Sequence, residues 1–151
     1  MSEIVIADSS CLIGLSKINK LDVLRQLFGR ILIPPAVFHE VVILGAGRPG
    51  AEAVKNAIWI ETHEVKNQLA VRAFRLTLGV GESEAIVLAA EYEADFIILD
   101  DWNARQVALA LSLPVIGTIA VLTKATEKGL IEDLQATLAE LREAGFRFSL
   151  T

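Results

Sequence analysis

GESEAIVLAAEYEADFIILDDWNARQVALALSLPVIGTIAVLTKATEKG, residues 81–129, switches back and forth between two apolar patterns. In "GESEAIVLAAEYE" the apolar residues recur at helical spacing, and the acidic start suits a helix N-terminus, where the dipole favours carboxylates. "DFIILD" is a short, continuously apolar run between two acids, which predicts a strand buried on both faces. "DWNARQVALALS" returns to helical spacing, "PVIG" reads as a second short strand, and "TIAVLTKATEKG" as a helix closed by glycine. Strands of this kind alternating with helices imply a parallel sheet covered on both faces.

The same alternation extends toward the N-terminus. "EIVIAD" (3–8) is a β-branched run, and "SSCLIGLSKI" (9–18) follows with helical spacing. "LDVLRQLF" (21–28) predicts a helix stopped by Gly29, and "RILIPP" (30–35) a strand closed by prolines. Pro35 is placed to open a helix over "AVFHEVVI" (36–43). "GAGRPG" (45–50) is a loop, "AEAVKNA" (51–57) a short helix, "WIETHEV" (59–65) a strand and "NQLAVRAFRLTLG" (67–79) an amphipathic helix. The tail "LIEDLQATLAELREAG" (130–145) reads as helix and "FRFSL" (146–150) as an edge strand. No repeat, low-complexity stretch or linker interrupts the pattern, and 151 residues predict one domain over residues 1–151.

Hydrophobic residues make up 53% of the chain, enough for a substantial core and incompatible with disorder. Glu91, Glu93 and Asp95 break the longest apolar candidate before it reaches the roughly 18–20 residues of a membrane helix. The first residues lack the basic and apolar regions of an export signal. The lone cysteine, Cys11, is expected to be a buried small hydrophobe, and its solitude suits a reducing cytoplasm. A net charge of −5 argues against broad electrostatic binding of nucleic acid. It leaves room for a nuclease, because a carboxylate cluster is itself a large negative contribution that bound metal offsets.

Four acidic islands fall at predicted element edges: Asp8; Glu40; Glu82 and Glu84; Asp100 and Asp101. Ligands of parallel sheets lie beyond the strand carboxyl ends, where Asp8 and the Asp100–Asp101 pair should both point. If folding joins the islands, they wall a pocket suited to hard divalent cations. Taken singly, Asp8, Glu82 and Asp101 also suit helix capping. Glu40 beside Phe38, Val41 and Val42 is harder to read as surface, and adjacent Asp100 and Asp101 repel without a counterion. Arg48, Lys55, Lys66, Arg72, Arg75 and Arg105 are candidate phosphate contacts, most of them readable as solvated helix faces. His39 and His63 lack zinc-site spacing and read as surface or half-buried residues.

The order of "ADSS", Glu40 after a "PP" strand end, "GESEAI" and "ILDDWNAR" followed by "VIGT" resembles the PIN-domain family, which includes the toxin ribonucleases of VapBC-type toxin–antitoxin pairs. The likeness runs from Ile4 to about Ile131 and is narrower still to a PIN-like branch common in bacteria and archaea. It implies a three-layer α/β/α sandwich with a central parallel sheet and a site of three or four carboxylates. Asp8 carries over as the first ligand with Ser9 or Ser10 as a polar neighbour, Glu40 as the second acid and Glu84 as the third, with Glu82 as an extra acid. Asp101 carries over as the fourth, with Asp100 beside it and Leu99 where the pattern has threonine. The implied chemistry is Mg²⁺- or Mn²⁺-assisted hydrolysis of RNA phosphodiesters, with Ser9, Ser10 and Arg105 near substrate. The resemblance also implies a homodimer and an antitoxin partner.

Rival readings attach to particular segments. Gly45, Gly47 and Gly50 fit G-x-G-x-x-G, yet the preceding residues read as helix and the acid at the next strand end, Glu61, comes too early for a dinucleotide fold; a loop over a substrate groove is the better expectation. A phosphoacceptor receiver domain would carry its acidic pair at the first strand end, where this chain has only Asp8. A non-catalytic PIN-like module binding RNA or protein is the remaining alternative. Ile131, Leu134, Leu138 and Leu141 give the tail helix an apolar face, expected to pack on the domain's own core.

Overall fold

Three-residue strands, apolar throughout in all but one case, make up most of the sheet at the centre of the computed structural model, which describes residues 3–147. The strands are β1 (Val5–Ala7), β2 (Ile31–Ile33), β3 (Ile60–Thr62), β4 (Phe96–Ile98) and the two-residue β5 (Val115–Ile116). They pair in the order β3-β2-β1-β4-β5, all parallel. Because side chains alternate along a strand, each short apolar run feeds two cores. Val5, Ala7, Ile31, Ile33 and Ile98 enter one, packed by α1 (Ser9–Lys17), α2 (Asp22–Phe28), α8 (Thr118–Glu127) and α9 (Leu134–Glu143). Ile6, Leu32, Ile97 and Leu99 enter the other, under α5 (Gln68–Phe74), α6 (Val80–Glu91) and α7 (Trp102–Ala110). This is the parallel sheet covered on both faces that the alternation of patterns implied, and the α/β/α sandwich that the resemblance implied.

From β1 the chain winds through α1 and α2 to β2 and β3 on one side, then crosses through α5 and α6 to β4 on the other side of β1. The switch point of the sheet therefore lies between the carboxyl ends of β1 and β4. In-register pairing of Ala7 with Ile98, continued by a 3.2 Å hydrogen bond from the Asp8 N–H to the Ile98 carbonyl, sets Asp8 level with the end of β4.

Most predicted elements form within a residue or two. Pro35 opens α3 (Pro35–Phe38) as expected, but after one turn the helix widens into a π-helical segment, His39–Leu44, that carries Glu40. Such segments recur at functional sites, since the wider turn re-aims a side chain. The helix expected over 67–79 ends at Phe74 and continues as turns to Leu78, and the tail helix starts only at Leu134, where Asp133 caps it through the Ala136 N–H. The glycine-rich segment follows helical turns rather than a strand and leads into the six-residue α4 (Ala51–Asn56), which removes the dinucleotide reading. Of the edge strand expected over "FRFSL", Phe146 and Arg147 are irregular and residues 148–150 lie outside the described residues. Leu141 is buried on the core beside α1 and α8, so the tail helix face does pack on the chain itself. Among the described residues, no helix is long and apolar enough to cross a membrane.

Ile97 sits fully buried in the central sheet. Ile97→Ala should lower unfolding stability by about 2–5 kcal/mol in denaturant titration, against less than about 0.5 kcal/mol for Leu76→Ala at an exposed turn.

Candidate active site

Five carboxylates meet at the switch point, each delivered by a different local device. Asp8 follows β1 at the N-cap position of α1, with extended backbone, yet its side chain makes no cap hydrogen bond. Its carboxyl is buried, and Oδ1 has no hydrogen-bond partner at all. Burial first, then the negative charges of Glu82, Glu40 and Asp100, push its pKa from 3.8 to about 7, against a smaller downward pull from the Ser9 N–H.

Glu40 reaches the site from the π-helical segment and accepts a 2.9 Å hydrogen bond from the Ser9 hydroxyl. Its carboxylate lies so close to Gly81 that a Cβ there would overlap it, so the glycine makes room for Glu40 at the first turn of α6. Glu82 accepts from the Gly79 N–H at 3.1 Å, and burial followed by Asp101 and Glu40 raises its pKa. Asp100 is held by the Ser10 hydroxyl at 3.0 Å, the Thr118 N–H at 2.8 Å and the Thr118 hydroxyl at 2.7 Å. Asp101 caps α7 through the Ala104 N–H at 3.0 Å, with its other oxygen left over.

Glu84, expected as the third ligand, turns elsewhere: its Oε1 accepts a 2.9 Å hydrogen bond from the Ala36 N–H and caps α3. Two helical residues beyond Glu82 amount to a rotation of about 200°, so the two acids of "GESE" face opposite ways. Ser9 and Ser10 lie among the acids as expected, but each orients a carboxylate. Arg105 donates to the Leu99 carbonyl at 2.9 Å and packs against Gly117 beside Asp100, where a Cβ would be 2.9 Å from its Nη1. It braces the β4 end. Thr118, the strongest partner of Asp100, escaped the sequence reading, although "VIGT" carried the signal of a polar residue directly after a strand. Cys11 is fully buried and its thiol pKa is pushed up by burial, which makes it an inert core residue. His39 is exposed, while half-buried His63 bonds Tyr92 and Glu61 at the far edge of the sheet.

Among the described residues, no three His, Cys, Asp or Glu side chains stand in ready-made ion-coordinating geometry. The donor chemistry nonetheless fits a hard divalent cation: every available atom is a carboxylate or hydroxyl oxygen, and the buried Asp8 oxygen lacks any other partner.

A parallel α/β/α sheet with acids gathered at its switch point defines a class of proteins with an anionic, oxygen-lined cleft. Within that class the chain belongs to the PIN-domain family, whose model DUF3368, described as a PIN domain, matches residues 4–151. PIN domains are generally nucleases. A solved structure of the same fold is a PilT N-terminus domain protein from the hyperthermophilic archaeon Sulfolobus solfataricus P2, at 19% identity and a TM-score of 0.55, covering 82% of this chain and 95% of that one. No curated protein matches the chain.

The raised pKa of Asp8 has a signed consequence. A carboxyl whose folded pKa lies above its unfolded value favours folding while protonated, and that contribution is lost as pH rises from about 4 through about 7. In metal-free buffer, Asp8→Asn should therefore flatten this part of the stability–pH curve and exceed the wild type by roughly 2–4 kcal/mol above neutrality. Parallel curves for the two proteins in urea titrations would show that Asp8 is not the titrating group.

Proposed function

We propose that the protein is a metal-dependent endoribonuclease that hydrolyses RNA phosphodiester bonds with Mg²⁺ or Mn²⁺. The observation that carries this reading is the buried, unpartnered Asp8 oxygen at the sheet's switch point, ringed by Glu82, Glu40 and Asp100, with Asp101 beside Glu82. A carboxylate in that position costs stability, and a fold retains such a cost where function needs the charge.

Asp8, Glu82, Asp100 and Asp101 would hold the cation, and Glu40 would complete the set. The bound ion supplies a water of lowered pKa and offsets charge that builds on the phosphate oxygens. The chain's own residues prepare that chemistry. Ser9, Ser10 and Thr118 fix the rotamers of Glu40 and Asp100, which spares reorganisation when substrate arrives. Gly81 makes the room that lets the Glu40 carboxylate lie against the first turn of α6. Asp8 must give up its proton before it can serve as a ligand, so ion binding is coupled to proton release near neutrality. Glu84 stays outside this set and holds α3, the element leading to Glu40.

In the cell, this reading makes the protein the toxin of a toxin–antitoxin pair, acting as a homodimer and restrained by an antitoxin at the acidic cleft. The support is the family's resemblance to toxin ribonucleases.

With a single-stranded RNA substrate and Mg²⁺ or Mn²⁺, Asp8→Asn and Glu82→Gln should each reduce cleavage by at least about a hundredfold, with circular dichroism unchanged. Glu84→Gln keeps an acceptor for the Ala36 N–H and should remain within about fivefold of wild type. A loss in Glu84→Gln with Glu82→Gln spared would assign the α6 ligand the other way, and full activity of Asp8→Asn would remove the hydrolytic reading.

A further inference from the structure

Three hollows open around α1 and share lining residues: Ile13 and Lys17 border the first and second, and Lys17, Arg48 and Pro49 the second and third. The first, about 490 Å³, is bounded by Asp100 and Asp101 on one wall, with Trp102 and Arg147 on its rim. The second, about 370 Å³, lies on the other side of Ile13 and Lys17 and reaches Glu40 and Arg48. The third, about 650 Å³, continues from Lys17 and Arg48 along the glycine-rich loop. Lys17 borders all three, and Arg48 joins the second to the third. Ile13 and Lys17 share a helix face because they stand four residues apart.

The lining has a definite chemistry. Charges of both signs line it: Lys17, Arg48 and Arg147 stand among Asp100 and Asp101 in the first hollow, Glu40 in the second, and Asp22 and Glu52 in the third. Lys17 donates to the Ala144 carbonyl at 3.3 Å, which fixes its ammonium and leaves further N–H donors. Trp102, 51% exposed, stands directly after Asp101 and lines the first hollow beside Asp100 and Asp101, an unusual place to leave a large aromatic side chain in water. Cations able to bind phosphate together with an exposed aromatic side chain match a nucleic-acid strand whose bases are unpaired, since stacking on a side chain requires a free base face.

We infer that this cleft is a track for single-stranded RNA, in which Trp102 stacks a base beside the acids while Lys17 and Arg48 bind the backbone phosphates that follow. This rests on the ribonuclease reading for the position of the cut and adds to it the path of the strand and the residues that hold it. The glycine-rich loop then serves as the wall of the track, with Gly47 and Gly50 at positive φ giving it the turn that brings Arg48 to Lys17.

The test is equilibrium binding of a short single-stranded RNA to the full chain in EDTA, where the strand is not cut, followed by tryptophan fluorescence across a salt series. Wild type should quench on binding. Trp102→Ala should abolish most of the quench and weaken binding roughly fivefold or more, while Trp102→Phe restores much of the affinity. Lys17→Gln and Arg48→Gln should each lower the slope of log K against log salt by about 0.7 without removing the quench. The track is overturned if both charge variants keep the wild-type slope, if Trp102→Ala binds as wild type, or if a duplex or an acidic peptide competes as well as the single strand. These outcomes are separable from the cleavage reading: loss of cleavage in Asp8→Asn alongside unaltered binding in the Trp102, Lys17 and Arg48 variants would sink the track alone. Absence of any cleavage alongside the expected binding changes would sink the ribonuclease reading and leave the track standing.

Discussion

Parallel pairing of β1 with β4 determines where every acid of the site falls. The register Val5–Phe96, Ile6–Ile97, Ala7–Ile98 ends both strands at the same level, so Asp8 and Asp100 leave the sheet side by side. A slip of one residue would turn Ile97 and Leu99 into the wrong core and Asp100 away from Asp8. Two fully buried apolar faces, one under α1 and α8 and the other under α6, oppose that slip. The hydrophobic cores therefore hold the electrostatic arrangement in place, although the cluster repels itself.

That repulsion is uneven, and its distribution says what each acid does. Asp100, Asp101 and Glu82 all accept hydrogen bonds from backbone N–H groups, and Asp100 adds two hydroxyls. Such donors offset part of the cost of bringing the acids together. Asp8 has the deepest burial and one oxygen without any donor, and its pKa rises accordingly. The electrostatic cost falls most heavily on Asp8, with Glu82 also raised beside it, and a cation there would relieve both.

Much of the fold was legible because strands buried on both faces leave short apolar runs with no polar interruption, and helices announce themselves by their caps and period. The gathering of Asp8, Glu40, Asp100 and Asp101 followed from the rule that parallel sheets present their strand ends together. The choice between Glu82 and Glu84 was not legible: it depends on the rotation of α6 about its axis, which is set by packing against α3 and α5. The π-helical segment was equally hidden, since a shift of hydrogen bonding by one residue costs little locally and answers to the neighbouring α1 and α4. Arg105 looked like a free phosphate contact, and only the Leu99 carbonyl beside it shows that its charge is engaged. Nothing in the sequence singled out Lys17, whose place beside Arg48 depends on how the glycine-rich loop folds.

The central claim is that the acids surrounding Asp8 share a divalent cation. The most direct measurement is anomalous scattering from crystals soaked in Mn²⁺ at a pH above that at which Asp8 ionises. A shared ion gives a peak within coordination distance of Asp8 and at least one of Glu82, Asp100 and Asp101, with Glu84 still on the α3 N-terminus. A peak only on exposed carboxylates elsewhere, or none near Asp8 once it is ionised, would contradict it.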